Sequence, residues 1–400
     1  MLLLAAAMLA VPDYHTHIAP ILERRCTGCH RKGEIGPMPL TTYPEVRPWA
    51  RAIREAVLRR KMPPWFAVTG HFANDPSLTK EEIALIEQWA DAKAPPGKPQ
   101  PRPSSSQPDL PKPDWTLTTP APVRIPAKSE LDYQYIILNP GFRQEQWVTR
   151  ADVRPTDRRA VHHLVVYIRP PGAAWLAKHP PNQFFTATPE EGATTADILA
   201  VYTPGSGPMS LPPDMARRIA PGSEIVLQIH YNPYGRATQD QPQVHLWFAK
   251  TKPRYNVLTL QLNQPRLLIP PFAKDHSETV SGTLPGDALL LSFLPHLHLR
   301  GKSFEYRLVA PGGRIETLLK LEPYDFFWQL QYRLQTPRLL KKGARLQAEA
   351  HWDNSASNPR NPDPSAEVTY CEPSRCEMMI GFFDIAVPAE MDKETYFLRR

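Results

Sequence analysis

Residues 26–30 read Cys26-Thr27-Gly28-Cys29-His30. Two cysteines separated by two residues and followed at once by a histidine form a C-x-x-C-H motif, which attaches a c-type haem through both thiols and supplies the histidine as an axial iron ligand. We therefore expect Cys26, Cys29 and His30 to hold covalent haem c. The motif indicates a redox role, and the residues on either side are expected to form the protein surroundings of the haem.

Amphipathic segments surround this motif, and their apolar spacing predicts three helices within residues 14–95. The first helix runs into the motif, and the second opens with Pro44 in its first turn. The third begins at Thr79, with Glu82 placed to complete a capping box. Three helices around one C-x-x-C-H motif predict a small all-α cytochrome c domain over residues 13–95.

The second axial iron ligand of such a domain is usually a methionine from a loop after the middle helix. Met62 occupies this position and is followed by two prolines that stiffen the loop, so we expect Met62 to bind the haem iron. Met38 is the alternative methionine. The histidines that would instead give bis-histidine ligation are His15, His17 and His71.

Length and composition limit the remaining possibilities. The 400 residues leave room for two or three domains. The net charge is +7, but the basic residues are scattered, which argues against a nucleic-acid partner. Proline occurs 48 times, which disfavours long helices after residue 95 and favours short strands with many turns. Residues 96–114 are rich in proline and serine and predict an extended linker.

The chain begins with a short apolar stretch, residues 1–12, that is typical of the remnant of a signal peptide. It is too short to span a bilayer, and we expect no integral membrane span. Cys371 and Cys376 are close enough in sequence to form a small-loop disulfide, which an exported protein tolerates. We therefore expect a periplasmic or secreted bacterial protein.

After the linker, short runs of β-branched and aromatic residues alternate with proline and glycine turns. Strands are predicted at Leu164–Ile168, Glu224–Ile229, Val244–Phe248, Leu289–Leu294, Phe304–Val309 and Leu346–Ala350. This pattern, without intervening helices, predicts two all-β, jelly-roll-like β-sandwich domains, residues 115–265 and residues 266–400.

Histidines lie at the ends of several of these strands. His162 and His163 are adjacent at the start of one strand, and His230 closes another. Neighbouring side chains of a regular strand point to opposite faces, so His162 and His163 can share one metal only if the strand is bulged or twisted there. Paired histidines on strands are also common as ordinary hydrogen-bonded residues.

A second group lies nearer the C-terminus. His296 and His298 have the i, i+2 spacing that places both imidazoles on one face of a strand, and Met378 supplies a thioether. Imidazole together with thioether favours copper, Cu(I) in particular, over zinc or magnesium. Taken alone, Met378 also fits a position in an apolar core.

Together, these residues resemble the copper type II, ascorbate-dependent monooxygenases, the family of peptidylglycine α-hydroxylating monooxygenase and dopamine β-monooxygenase. The resemblance covers residues 115–390, and its signals occur in the family's order. They are Val161-His162-His163-Leu164, His230-Tyr231, His296-Leu297-His298-Leu299-Arg300-Gly301 and Glu377-Met378.

The resemblance implies two copper ions, one in each β-sandwich, that face each other across a solvent-filled cleft. It implies that His162, His163 and His230 bind the copper that transfers electrons. It also implies that a catalytic set, His296, His298 and Met378, binds the copper at which O2 is activated.

Some positions depart from the family. Peptidylglycine enzymes hold the substrate carboxylate with an arginine and a tyrosine at the positions occupied here by Leu294 and Phe382. A peptide C-terminus is therefore not the expected substrate. Met379 stands where the better-known enzymes have a cysteine, so part of their disulfide framework is missing.

We therefore expect an enzyme, a copper-dependent monooxygenase that hydroxylates a C–H bond of a small organic substrate with O2. Ascorbate or a redox protein would donate electrons, relayed through the fused haem c; this relay is inferred from the fusion itself. The alternative is a haem-copper electron-transfer or copper-binding protein without oxygenase activity. A zinc hydrolase is disfavoured because no carboxylate base accompanies the histidines.

Overall fold

The computed structural model describes residues 11–100, 110–128, 131–188, 191, 196–310 and 312–398. Most of the signal-peptide prediction, at residues 1–10, and the centre of the predicted linker, at 101–109, lie outside the described residues. The chain divides into two compact units. One consists of Met1–Trp65 and Pro76–Pro111, and the other of Phe66–Asp75 and Lys112–Arg400. Within the described ranges, no helix combines the length and apolar character needed to cross a bilayer.

The first unit is helical, and its described helices begin with a π-helical turn. They are the π turn Tyr14–Ile18, α1 (Ala19–Arg25), α2 (Tyr43–Val46), a 3-10 turn Arg47–Trp49, α3 (Ala50–Leu58) and α4 (Lys80–Asp91). The predicted second helix is thus divided, and the 3-10 turn that divides it contains Pro48, which has no N–H to donate. The core is apolar, and Ile18, Ile86 and Trp89 are fully buried.

The capping box predicted for the third helix is confirmed. The Thr79 hydroxyl accepts a hydrogen bond from Glu82 N at 3.1 Å, and the Glu82 carboxylate accepts one from Thr79 N at 2.9 Å. These two bonds satisfy backbone donors that the first turn of α4 leaves without intrahelical partners.

The second unit is mostly β-sheet, as predicted, and ends in a short helix, α5 (Lys393–Leu398). Its strands are β1 (Trp115–Thr118), β2 (Val123–Ile125), β3 (Gln134–Leu138), β4 (Gln146–Arg154), β5 (Val161–Arg169), β6 (Phe184–Phe185), β7 (Asp197–Tyr202), β8 (Met209–Ser210), β9 (Met215–Ile219), β10 (Glu224–Tyr231), β11 (Thr238–Asp240), β12 (Gln243–Phe248), β13 (Tyr255–Asn263), β14 (Leu268–Ile269), β15 (His276–Thr283), β16 (Ala288–His296), β17 (Gly301–Val309), β18 (Ile315–Leu321), β19 (Tyr332–Leu340), β20 (Arg345–Trp352), β21 (Val368–Thr369) and β22 (Ile380–Pro388). Each of the six strands predicted from sequence lies inside one of them.

Three larger sheets are built from these strands in the described part of the chain. A nine-stranded sheet has the order β1-β12-β4-β9-β13-β22-β16-β19, with β8 pairing to β4. A five-stranded sheet has the order β6-β3-β10-β5-β7, and a four-stranded sheet has the order β15-β20-β17-β18. Two short pairs, β11-β2 and β14-β21, complete the pairing.

The two smaller sheets pack on different parts of the nine-stranded sheet. One apolar core lies between the five-stranded sheet and β1, β12 and β4, and it includes Leu164, Leu227 and Val244. The four-stranded sheet packs on β16 and β22, where the ring of Tyr306 lies 4.6 Å from that of Phe293. The domain boundary predicted near residue 265 falls between β13 and β14, and two independent sandwich domains stay a prediction.

Residues 66–75 interrupt the helical unit in sequence but belong to the β unit. This segment, which we call the strap, runs antiparallel to β18 and β19 and forms bridges at Ala67 to Leu321 and at Phe72 to Leu334. Asn74 adds side-chain hydrogen bonds to the backbone of the chain that leads into β19. The strap therefore completes backbone hydrogen bonding along this edge.

Candidate metal centre

The first group of histidines lies where β5 and β10 pair. His230 is opposite His163, and Tyr231 is opposite Val161, so His162 is an additional residue that has no partner across the pair. This shift in register is a β-bulge, which is the condition under which His162 and His163 can turn towards one metal. Ligand nitrogens of His162, His163 and His230 all lie within 4.8 Å of one another.

The hydrogen bonds of this group leave nitrogens free to bind a metal. His162 Nε2 lies 3.2 Å from the Phe326 carbonyl oxygen, which directs Nδ1 towards the centre of the group. There, His162 Nδ1 and His163 Nδ1 are 3.1 Å apart. His230 Nδ1 is buried and has no hydrogen-bond partner among the described residues. A buried nitrogen without a partner is costly unless a metal or water satisfies it.

The second group lies at the end of β16. His296 is the last residue of the strand, and His298 follows after the strand has ended. The prediction that one strand carries both imidazoles on one face is therefore wrong, although the two rings are still close, 5.1 Å apart and nearly perpendicular. His296 Nδ1 lies 2.9 Å from Gln329 Oε1, and His298 Nδ1 lies 3.3 Å from the Cys376 carbonyl oxygen.

These contacts leave the Nε2 atoms of the second group for a ligand. His298 Nε2 is buried without a hydrogen-bond partner in the described part of the chain. Met378 lies two residues before β22, whose Ile380 pairs with His296. The cavity lined by His296 is also lined by Met378 and by His163. It has a volume of about 420 Å³. Members of both groups therefore line one cavity.

The two groups approach each other closely. The rings of His163 and His296 are 6.1 Å apart, where the family resemblance implies an open cleft between two metals. Phe326 lies among the histidines: its ring stacks on His162 at 4.8 Å and lies 6.4 Å from the ring of His298. Phe326 is also 5% exposed, so it excludes water from this region.

All five imidazoles are held neutral by their surroundings. Burial lowers the pKa of His162 to about 4 and that of His296 to about 4. Burial, with repulsion from neighbouring imidazoles, holds the pKa values of His163, His230 and His298 well below the usual range. Metals bind the neutral imidazole, so the electrostatics of the site suit a metal centre.

Glu377 is a positioning residue whose role the sequence did not indicate. Its carboxylate accepts hydrogen bonds from His298 N at 2.8 Å, Arg300 N at 2.6 Å and Trp352 Nε1 at 3.1 Å. Burial raises the pKa of Glu377 to about 7. Glu377 directly precedes Met378. Its carboxylate therefore ties the backbone that carries Met378 to the backbone at His298 and Arg300.

Phe326 and Gln329 were also missed by the sequence analysis. Both lie in the irregular segment before β19, and each contacts a histidine of a different group. No motif marks them, since a backbone carbonyl and a single amide have no sequence signature. A disulfide joins Cys371 to Cys376, a pairing that their short spacing in sequence allows, with a Cα–Cα distance of 5.5 Å.

In the helical unit, the C-x-x-C-H residues are arranged around the end of α1. Cys26 and Cys29 are not disulfide-bonded. His30 Nδ1 lies 3.1 Å from the Met38 carbonyl oxygen, which leaves Nε2 for an axial bond. The Met38 side chain packs against the apolar core, whereas Met62, after α3, is 36% exposed. Met62 therefore remains the candidate for the second axial position.

The other candidate histidines lie elsewhere. His17 Nδ1 accepts a hydrogen bond from Asp13 N at 3.1 Å, and the ring of His15 packs edge-on against Tyr14. His71 is part of the strap, where its carbonyl accepts a hydrogen bond from Gln335 N at 3.2 Å. None of these contacts directs the three rings towards the C-x-x-C-H motif.

Comparison with known proteins gives one distant relative. No protein-family model matches the chain. DBH-like monooxygenase protein 2 of Mus musculus is 24% identical over 210 residues, which are 48% of this chain and 33% of the mouse protein. The chain thus spans about a third of the length of that curated relative.

Two of the solved structures that resemble the chain overlap with it only loosely. The major capsid protein P2 of bacteriophage PM2 has a TM-score of 0.27 at 9% identity, covering 68% of this chain and 97% of its own. PNGF-II has a TM-score of 0.28 at 11% identity, and the overlap covers 69% of this chain and 65% of the PNGF-II chain. Neither overlap carries an argument about fold or function. The chain is thus similar, distantly and over about half of its length, to a DBH-like monooxygenase.

Proposed function

We propose that the protein is a copper-dependent monooxygenase that hydroxylates a C–H bond of a small organic substrate. The reaction is RH + O2 + 2e⁻ + 2H⁺ → ROH + H2O, in which the substrate carbon is oxidised and O2 is reduced. One oxygen atom enters the product, and the other leaves as water. The two electrons come from an external donor, ascorbate or a redox protein.

The proposal is supported by the arrangement of five histidines in two neighbouring groups, of which His163 and His296 line one cavity together with Met378. Buried nitrogens of His230 and His298 lack partners among the described residues, which is the arrangement expected of metal ligands. The distant similarity to a DBH-like monooxygenase supports copper and oxygenase chemistry.

The donor sets fit two copper ions. His162, His163 and His230 would hold one ion through three neutral imidazoles. His296, His298 and Met378 would hold the other, and their thioether favours Cu(I) over zinc. Bound copper supplies one-electron chemistry and a site for O2. The protein's own contribution is a set of neutral imidazoles, of which His162, His163 and His298 are buried and the other two are half-buried.

Haem c fits the helical unit. Cys26 and Cys29 would form the thioether bonds, His30 is oriented by the Met38 carbonyl, and Met62 would be the second axial ligand. Haem supplies reversible one-electron transfer when bound, and we propose that it relays electrons to the copper ions. Thioether attachment and the Cys371 disulfide both suit an exported protein.

The test is turnover by the full chain with haem and copper bound. Metal analysis should give two copper ions for each haem, and O2 uptake should require copper and a reductant. In Met378→Leu, which conserves side-chain volume, hydroxylation should fall at least about tenfold while haem reduction is unchanged.

The matched control is Met379→Leu at the adjacent residue, whose side chain is fully buried. This variant should keep its turnover. Equal turnover in Met378→Leu and the wild type would remove the assignment of the second copper site. Copper and haem binding without substrate-dependent O2 uptake would instead favour the electron-transfer protein.

A further inference from the structure

A second cavity lies beside the strap. It is bounded by β8 and the loop that follows it, by β16, by β19 and by Ala73 of the strap, and its volume is about 300 Å³. Among the described residues that line this cavity, none also lines the cavity of the histidines. A volume of this size is at the lower end of the range for cavities that bind small molecules.

The described lining of this cavity carries one basic side chain, the half-buried Arg333 of β19. The backbone of Arg333 is held on both sides by the strap: its N–H donates to Asn74 Oδ1 at 2.9 Å, and its carbonyl oxygen accepts from Ala73 N at 2.8 Å. In the part of the chain that the structure describes, the guanidinium itself forms no hydrogen bond and no ion pair. Burial lowers the pKa of Arg333 below its usual value. A desolvated charge without a partner is unfavourable, which favours an anionic ligand here.

The one carboxylate in the described lining already has its partners. Asp384 forms an ion pair with Arg217 Nη2 at 2.8 Å. It also accepts hydrogen bonds from the hydroxyls of Thr259 at 2.7 Å and Ser292 at 2.8 Å, and from Gln331 Nε2 at 3.2 Å. Asp384 is therefore satisfied within its own network, and it leaves the guanidinium on β19 uncompensated.

Most of the remaining wall is apolar. Ser210 and Gln335 add uncharged polar groups at the cavity. A hydrocarbon chain is stabilised where it buries apolar surface against side chains of this kind. The apolar side chains of the wall are those of Met209, Leu211, Pro212, Leu291, Leu334 and Pro337. The cavity thus combines one free cationic group with a surface for hydrocarbon.

We propose that this cavity binds a small organic carboxylate that carries a short hydrocarbon chain. The carboxylate would accept two parallel hydrogen bonds from the Arg333 guanidinium, whose planar fork matches the geometry of a carboxylate. The hydrocarbon chain would lie against the apolar wall. This inference goes beyond the proposed function and depends on neither copper nor turnover.

Calorimetric titration of the full chain, with haem and copper bound, tests the inference. Hexanoate and hexan-1-ol have the same chain and differ in charge, whereas acetate keeps the carboxylate and lacks most of the chain. Both carboxylates are ionised at about pH 7. Hexanoate should bind at least about tenfold more tightly than hexan-1-ol, because of the charged hydrogen bonds, and at least about tenfold more tightly than acetate, because of the buried chain.

Arg333→Gln removes the charge and keeps a polar side chain. No described partner of the guanidinium is lost, so the variant should fold, which thermal denaturation checks. Its affinity for hexanoate should fall at least about tenfold, to that of hexan-1-ol. Arg345→Gln, at an exposed position of β20, makes the same change in net charge and should keep the wild-type affinity.

Equal affinity of the wild type for hexanoate and hexan-1-ol would overturn the inference without any variant. Equal affinity for hexanoate and acetate would also overturn it, because the apolar wall would then contribute nothing. Hexanoate binding that is unchanged in Arg333→Gln would place the carboxylate elsewhere in the protein, the metal sites included, and would overturn it as well. None of these results bears on the oxygenase proposal, which is tested by turnover.

Discussion

The Tyr324 hydroxyl binds both polar groups of the Leu297 backbone. It donates to the Leu297 carbonyl oxygen at 2.9 Å and accepts from the Leu297 amide at 3.0 Å. Leu297 separates His296 from His298, so this one hydroxyl fixes the peptide units that carry both imidazoles. Gly301 lies against the same contact, where a Cβ atom would come within 2.8 Å of the Tyr324 ring.

Tyr324→Phe should therefore weaken metal binding by the second group. Removing the hydroxyl leaves the buried N–H and C=O of Leu297 without partners, which costs about 1–3 kcal/mol. Loss of a group that orients ligands typically lowers metal affinity about 10–100-fold. Copper retained after dialysis against a graded series of chelator concentrations measures the effect.

Tyr396→Phe is the control for this change. The Tyr396 hydroxyl also donates to a backbone carbonyl, that of Gly286, at 2.9 Å, but it lies outside both histidine groups. This variant should lose stability and keep both copper ions. Equal copper loss in the two variants would contradict the positioning role of Tyr324.

Glu377→Gln should destabilise the protein by about 1–3 kcal/mol. A neutral amide has only one oxygen for the three donors that the carboxylate now accepts, and its NH2 group faces N–H groups that are themselves donors. Chemical denaturation of the copper-free protein measures this loss. Glu390→Gln should stay within about 0.5 kcal/mol of the wild type, as expected for an exposed position.

Gly36→Ala should impair haem attachment. A Cβ atom at Gly36 would lie 2.7 Å from His30 Nδ1 and 2.7 Å from the Cys29 carbonyl oxygen, so the imidazole would have to move. Gly28, inside the C-x-x-C-H motif, has nothing within 4 Å of such an atom. Haem content of the purified protein should fall in Gly36→Ala and remain near the wild-type level in Gly28→Ala; the reverse order would contradict this account of the motif.

The copper-free protein should become less stable as the pH falls from about 6.5 towards 4. The folded imidazoles of His162 and His296 take up protons only near pH 4, whereas unfolded ones do so near 6.5. The unfolded state thus binds more protons in this window, and the free energy of unfolding falls by about 2.5 kcal/mol per imidazole by pH 4.5.

Glu372 and Glu377 have the opposite effect on the free energy of unfolding. Burial raises the pKa of each to about 7, so between about pH 7 and 4.5 the folded state binds more protons at these carboxyl groups and becomes more stable as the pH falls. The pH dependence of stability in the wild type alone therefore combines the effects of the imidazoles and of the carboxyl groups. The double variant His162→Asn, His296→Asn isolates the imidazoles, and its stability should depend less steeply on pH. Thermal denaturation in the presence of a chelator measures this dependence. If stability changed equally steeply with pH in the wild type and in the double variant, the depressed histidine pKa values would be contradicted.

Local features of the fold were predictable because their causes are local. The capping box at Thr79 depends on residues three apart, and the strands depend on alternation within a few residues. The strap was not predictable, because Phe72 and Asn74 find their partners some 260 positions further along the chain. A ten-residue segment between two helices has no pattern that reveals such a distant edge.

The histidines of the site were predictable from spacing and resemblance, but their surroundings were not. The bulge that turns His162 is set by register across two strands, which one strand's sequence does not encode. Phe326 contributes a backbone carbonyl and a ring, and Gln329 contributes one amide oxygen. Backbone carbonyls and single amide groups occur throughout the chain. Only the folded structure shows which of them contact the histidines.

The strap also has a consequence for how the protein can be cut. A fragment of residues 13–95 would carry an extended stretch whose backbone partners at Lys320 and Arg333 had been removed. A fragment starting at residue 112 would leave those same partners bare, and bare strand edges invite aggregation. Dividing the chain at the proline-rich region would thus destabilise both fragments. A fragment of the β unit that keeps residues 66–75 would retain these backbone hydrogen bonds.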